Sequence, residues 1–264
     1  MQRPIQVCPG AGSAAEAISI LTGRLENALP VKANGRCLLE YYVDGKRHKE
    51  NFAVKLWVNP PAQIYLQGDV AFDPKGIVAG SNEKQFWLAV KPKEIDSFWW
   101  GRWSDEKSCA GELMINTELL LEALGFTALV DEGNWSLSNE GAFDVLTKRS
   151  SRSVIARKIY IYSCDYLPGR IEYLDADQTA VVVTELDKYK EVLDGFSVPT
   201  VIKIVRHTEN IDARVSITLE LGSVKSTHFT ERAQRRLFTR PEPRGFGHIY
   251  KIADGNIIEE KLKN

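Results

Sequence analysis

The sequence predicts a mainly β (α+β) protein: one large curled antiparallel sheet with a few covering helices. Three observations carry this. Apolar and polar residues alternate over segment after segment, as half-buried antiparallel strands require, whereas parallel strands covered on both faces would read as continuous apolar runs. Helical spacing is confined to three short stretches. The chain has 264 residues, 44% of them hydrophobic, enough to bury a core. All-β folds of about 200–250 residues often form one domain. No Pro/Ser/Gly-rich linker divides this chain, so a single domain over 1–264 is expected, with 1–12 as an irregular N-terminal segment.

In chain order, Ser13-Ala14-Ala15-Glu16 has the spacing of a capping box, which predicts a helix start. Ile18, Leu21, Leu25 and Leu29 follow as one apolar stripe, and Pro30 stops it. From Arg36 the period becomes two. A strand over Cys37–Val43 is joined by the hairpin signal Asp44-Gly45 to a second in which Phe52, Val54, Leu56 and Val58 share a face. The alternation recurs at Ile64/Leu66, at Phe86/Leu88/Val90 and, most cleanly, at Val215, Ile217, Leu219 and Leu221. Further strands are expected at Ala128–Val130, Trp135–Leu137, Phe143–Thr147, Lys158–Tyr166, Arg170–Asp175, Ala180–Leu186, Thr200–His207 and Gly247–Ala253, with Asp187–Asp194 a loop or a single helical turn. Asn116 caps a second helical stretch that ends at Gly125, and Thr230–Phe238 is a third.

About ten strands and three short helices raise a covering problem. Helices of about 10–16 residues, rising 1.5 Å per residue, do not fill the apolar concave face of such a sheet. A partly empty hydrophobic cavity is therefore expected, walled by Leu39, Leu56, Val58, Leu66, Phe86, Leu88, Ile217 and Leu219, all on one face, with Ile18, Leu21 and Leu25 of the first helix as its lid. Trp99, Trp100 and Trp103 crowd one short segment. They fit either a buried patch covering the sheet rim or an aromatic wall for an acyl chain.

Other chemistry is thinly represented. Net charge is −1, which removes the general attraction to phosphate that nucleic-acid binding uses, and no apolar run nears the roughly 20 residues of a transmembrane helix. There is no G-x-S-x-G, Walker loop or G-x-G-x-x-G. Ser104-Asp105-Glu106-Lys107 has S-x-x-K spacing, but the partner motifs S-D-N and K-T-G are absent. His48, His207, His228 and His248 are never at metal-ligand spacing, so neither metal nor cofactor is expected. The protein reads as a non-enzyme.

Cys8, Cys37, Cys109 and Cys164 form no C-x-x-C pair. Cys37 and Cys164 lie in strand-like text and read as buried single thiols, so no disulfide is expected. Residues 1–13 contain no apolar signal stretch, and Ile5-Gln6-Val7 before Cys8 lacks the small residues of a lipoprotein cleavage site.

The run Val54-Lys55-Leu56-Trp57-Val58-Asn59-Pro60-Pro61-Ala62-Gln63-Ile64-Tyr65-Leu66, followed by the stretch from Gly80-Ser81-Asn82 to Phe86-Trp87-Leu88-Ala89-Val90-Lys91-Pro92, resembles the bacterial outer-membrane lipoprotein carrier (LolA/LolB-like) superfamily. Phe196-Ser197-Val198-Pro199-Thr200 and the strand Val215–Val224 with Thr227-His228-Phe229 are similar to that family's closing strands. The resemblance implies an unclosed β-barrel with a helical lid, acyl chains held in an apolar interior, and export to the bacterial envelope, periplasmic or outer-membrane associated. The expected partner is thus a lipid or the acyl chain of a lipoprotein, and the full-length protein would itself be a lipoprotein. The family's carriers place an arginine before the strand-end proline to work the lid; here that position is Pro60, which argues against a switched carrier cycle. The alternative is an envelope scaffold of the same fold with a filled interior, which binds a protein partner through its tryptophan-rich rim.

Overall fold

A computed structural model describes residues 6–70, 73–92, 95–103, 113, 115–127, 129, 134–149, 155–193, 195–208, 214–254 and 256–260. The chain opens with helix α1 (Ala14–Glu26), followed by strands β1 (Val31–Val43), β2 (Lys46–Asn59), β3 (Gln63–Val70), β4 (Asp73–Ser81), β5 (Gln85–Val90) and β6 (Ser97–Arg102). After α2 (Thr117–Ala123) come β7 (Trp135–Glu140), β8 (Phe143–Arg149), β9 (Ile155–Tyr162), β10 (Pro168–Leu174), β11 (Ala180–Leu193), β12 (Phe196–Arg206) and β13 (Val215–Ser226). The last elements are α3 (Glu231–Phe238), β14 (His248–Ala253) and β15 (Asn256–Glu259).

All fifteen described strands form one sheet, ordered β15, β14, β6, β5, β4, β3, β2, β1, β13, β12, β11, β10, β9, β8, β7. Its edges, β15 and β7, do not pair with each other, so the sheet is unclosed. Neighbours are antiparallel except β14 and β6, which run parallel. That pairing is open to β14 because a long excursion through the rest of the sheet separates it from β6.

Register lines carry the apolar pattern from strand to strand. One inner line joins Leu88, Ala79, Leu66, Leu56, Ala33 and Val224, and every member is nearly sealed from solvent. Burying each large aliphatic side chain stabilises by about 1.5–3 kcal/mol, so a one-residue slip of any strand would forfeit several such contributions at once.

The helices follow their caps. Ser13 Oγ accepts from Glu16 N at 3.2 Å, while the Glu16 carboxylate reaches past the expected box to accept from Gly12 N at 2.8 Å. In α1 only Ala17 and Ile18 are buried; Leu21 and Leu25 are half-buried. Leu29, expected to extend the stripe, lies beyond the helix end and is 37% exposed. Asn116 Oδ1 accepts from the backbone N–H of both Glu118 and Leu119, at 2.8 and 3.2 Å, starting α2. Leu120, Leu121, Glu122 and Ala123 are all buried, so this short helix is enclosed on several sides and packs against β4 as an internal plug.

Several sequence expectations need correction. β11 runs on to Leu193 in place of a loop from Asp187; Lys188, at φ 53°, interrupts the ladder opposite Thr200 without changing its register, and the register shifts between Glu191 and Leu193. β9 ends at Tyr162, because Tyr166 takes φ 56° in the turn before β10. Leu129 is outside any strand, and residues 128 and 130 lie outside the described residues. β4 and β6 had no clean alternation to reveal them, being buried on both faces over much of their length. Cys164 sits in the β9–β10 turn and forms a disulfide with Cys8, across 156 residues of sequence. This overturns the expectation of free thiols: the strand-like text around Cys164 is the end of a strand and an exposed turn. Cys37 is a buried free thiol as read. Cys109 and the Ser104–Lys107 motif lie outside the described residues.

Candidate functional site

Pairing places Leu39 opposite Ile217, Leu56 opposite Leu66, Phe86 opposite Gly101 and Leu88 opposite Trp99, so Leu39, Leu56, Val58, Leu66, Phe86, Leu88, Ile217 and Leu219 share the inner face. They are between 0 and 3% exposed and belong to one core cluster that includes Leu120, Leu121, Ala123 and Leu124 of the plug. Among the described residues the space over them is nearly filled, with a cavity of about 20 Å³ left between Ile217, Leu113, Leu119 and Ile204.

The tryptophan segment divides. Trp99 faces inward beside Leu88 and stacks on Tyr250 with ring centroids 5.6 Å apart. Trp100, one residue on, projects from the outer face opposite Trp87, because successive strand side chains alternate. It therefore cannot wall the inner face. Trp103 turns back against Phe86 at 4.7 Å and donates to Asn82 O at 2.7 Å, closing the β4–β5 turn.

A larger apolar-lined space lies between α1, the C-terminal end of α2 and β9–β12. A cavity of about 70 Å³ is lined there by Leu21 and Arg24, Leu124 and Leu129, and Ile159 and Ile171 among others. None of the eight expected wall residues lines it, nor do Trp99 and Trp100; of the expected lid residues only Leu21 does. Ligand pockets commonly measure about 300–1,000 Å³, so this cavity is too small for a long acyl chain unless α1 or the plug moves.

Its polar groups escaped the sequence reading. Arg157 pairs with Glu122, and the Tyr173 hydroxyl donates to the same carboxylate. The Arg157 guanidinium lies 5.4 Å from the Tyr173 ring centroid and 5.8 Å from that of Trp135. Burial lowers the Arg157 pKa and raises that of Tyr173. Arg157 Nε is buried with no hydrogen-bond partner among the described residues. At the cavity edge Arg24 Nη1 donates to the carbonyls of Tyr166 and Asp165 at 2.7 and 3.2 Å, tying α1 to the β9–β10 turn, and burial lowers its pKa. The signals existed: Arg157 has the same strand parity as Ile159 and Ile161, Glu122 is a lone charge in Leu-Leu-Leu-Glu-Ala-Leu, and Arg24 stands three residues after Leu21. Chemically, the described lining offers apolar walls, the Glu122–Arg157 ion pair and the hydroxyl groups of Thr127, Tyr189 and Ser197.

No protein-family model matches the chain, and no curated protein matches it. Solved structures do. A domain classed as an outer membrane lipoprotein-sorting protein, from Vibrio parahaemolyticus, superposes with a TM-score of 0.54 at 14% identity, covering 83% of this chain and 96% of that one. A LolA superfamily protein from Nitrosomonas europaea gives 0.52 at 12% identity, covering 87% and 99%. The fold is LolA-like: a mostly β unclosed sheet with three described helices.

Proposed function

We propose that the protein is a non-enzymatic, envelope-localised lipid- or lipoprotein-binding protein that takes an acyl chain against the inner face of its sheet. The carrying observation is the continuous aliphatic inner face, plugged by the buried α2 and roofed by α1, which buries only Ala17 and Ile18 of its own residues. α1 contributes little more than Ala17, Ile18 and Leu21, so its displacement costs little apolar burial. Entry is proposed at the cavity between α1, α2 and β9–β12, with expansion beneath the plug toward Leu39, Leu56 and Leu88. The LolA-like fold supports an envelope setting and a single domain.

The filled-scaffold reading is favoured by one observation, the small size of the cavity. A fluorescent fatty acid separates the two. Lipid binding predicts saturable uptake that Leu21→Glu weakens about tenfold or more, since an unpaired carboxylate would face an apolar space. A folded protein that takes up no probe supports the scaffold.

A further inference from the structure

The outer face carries a second pattern, one residue out of phase with the core. A single register line passes from Lys225 and Lys32 through Trp57 and Tyr65 to Trp87 and Trp100. Lys32 and Lys225 are direct cross-strand partners, both exposed, and neither has an ion-pair partner among the described residues. Like charges placed opposite each other repel, so the sheet carries an unfavourable contact that folding does not need.

Helix α3 lies over the same line. Leu237 and Phe238, with Phe229, pack on Trp57 and Tyr65, which turns the helix's charged side to solvent. Residues 231–244 hold five arginines against two glutamates in a chain whose net charge is −1. Glu231 pairs with Arg235 at 3.4 Å and Glu242 with Arg244 at 2.7 Å. Arg240 is held over the Trp100 ring at 3.9 Å, near Glu260. Arg232 and Arg236 remain exposed without a paired carboxylate among the described residues, and Arg236 is close enough to Tyr65 to act on its phenol electrostatically.

We infer that this outer face docks on an anionic lipid bilayer, with Lys32, Lys225, Arg232 and Arg236 on headgroup phosphates around the half-buried rings of Trp57 and Tyr65. The four cations are spread over β1, β13 and α3, which suits a two-dimensional array of phosphates better than one small anion. Trp and Tyr are the residues enriched at membrane interfaces, and each cation near such a surface contributes about 1 kcal/mol. The surface lies on the opposite side of the sheet from the cavity, so it stands whether or not the inner face holds lipid.

Sedimentation with vesicles tests it, using phosphatidylcholine alone and phosphatidylcholine mixed with phosphatidylglycerol. The full chain should bind the mixed vesicles only, and less as salt rises. Lys32→Gln/Lys225→Gln and Arg232→Gln/Arg236→Gln should each weaken binding by about 25-fold, at about fivefold per charge. Both pairs are exposed, and the lysine double variant should melt at or above the parent temperature because a repulsion is relieved. Equal binding to neutral vesicles, no binding to either, or parent-like binding by both folded double variants would overturn the inference. So would retention on heparin with none on vesicles, which would assign the surface to a soluble acidic polymer.

Discussion

Asp144 occupies an inward-facing position on β8 and is almost wholly buried. Its carboxylate accepts from Ala11 N at 2.7 Å, Asn139 Nδ2 at 2.6 Å and the Tyr166 hydroxyl at 2.5 Å, gathering the N-terminal segment, β7 and the β9–β10 turn around one charge. Gly10 is what lets the segment approach, since a Cβ there would overlap Asp144 Oδ1. Gly10→Ala should therefore cost about 1–3 kcal/mol in urea unfolding, and an unchanged midpoint would show that the segment is not seated there. Cys37 offers a pH test. Burial pushes its thiol from 9.0 up to about 12. Because the folded pKa is the higher, the native state holds this proton more tightly. Its stabilising contribution is complete below about pH 9 and is lost as pH rises toward 12. Cys37→Ala should flatten stability across that window, and iodoacetamide should label Cys37 only after unfolding.

At the scale of elements, the plug is the part furthest from a simple strand-and-helix reading. The caps of the first two helices were legible, because Ser13 and Asn116 each accept from an N–H two or three residues on, a purely local interaction; Thr230, read only as the start of a third stretch, accepts from Ala233 N in the same way. What α2 does with its buried faces was not, because enclosure is a tertiary property that a seven-residue helix cannot announce. The same holds for the Glu122–Arg157–Tyr173 network. Removing one partner of a buried pair leaves a charge uncompensated, so Arg157→Leu should cost about 3–5 kcal/mol, and Glu122→Leu/Arg157→Leu should recover much of it. Equal losses from the single and double variants in denaturant unfolding would mean that packing, not charge, dominates there. The inner-face residues were legible as a set through period-two alternation, but not the place where space remains. Trp100 was misplaced by reading a cluster along the chain where the strand sends neighbours to opposite sides.

For the whole molecule, the sheet order closes no barrel, and the two termini of the sheet are finished differently. One edge is β14 and β15 beside β6; the other is β7 and β8, near which the Cys8–Cys164 disulfide fastens the N-terminal segment to the β9–β10 turn. The pairing was hidden because 156 residues separate the two cysteines. Together with the Arg24 bonds to the carbonyls of Asp165 and Tyr166, it anchors both ends of the segment that leads through α1 to the same turn. Cys8→Ser/Cys164→Ser should lower stability by about 2–4 kcal/mol, and it should speed fatty-acid uptake if α1 moves to admit ligand. Uptake at the parent rate in the double variant would place the opening at α2.

The central claim, that the inner face holds an acyl chain, meets its most direct test in native mass spectrometry of the purified protein before and after extraction with organic solvent. The account predicts a bound mass in the range of a lipid, released by extraction and restored when a fatty acid is added to the refolded chain. A single ligand-free mass before extraction, unchanged by added fatty acid, would contradict it and leave the filled scaffold.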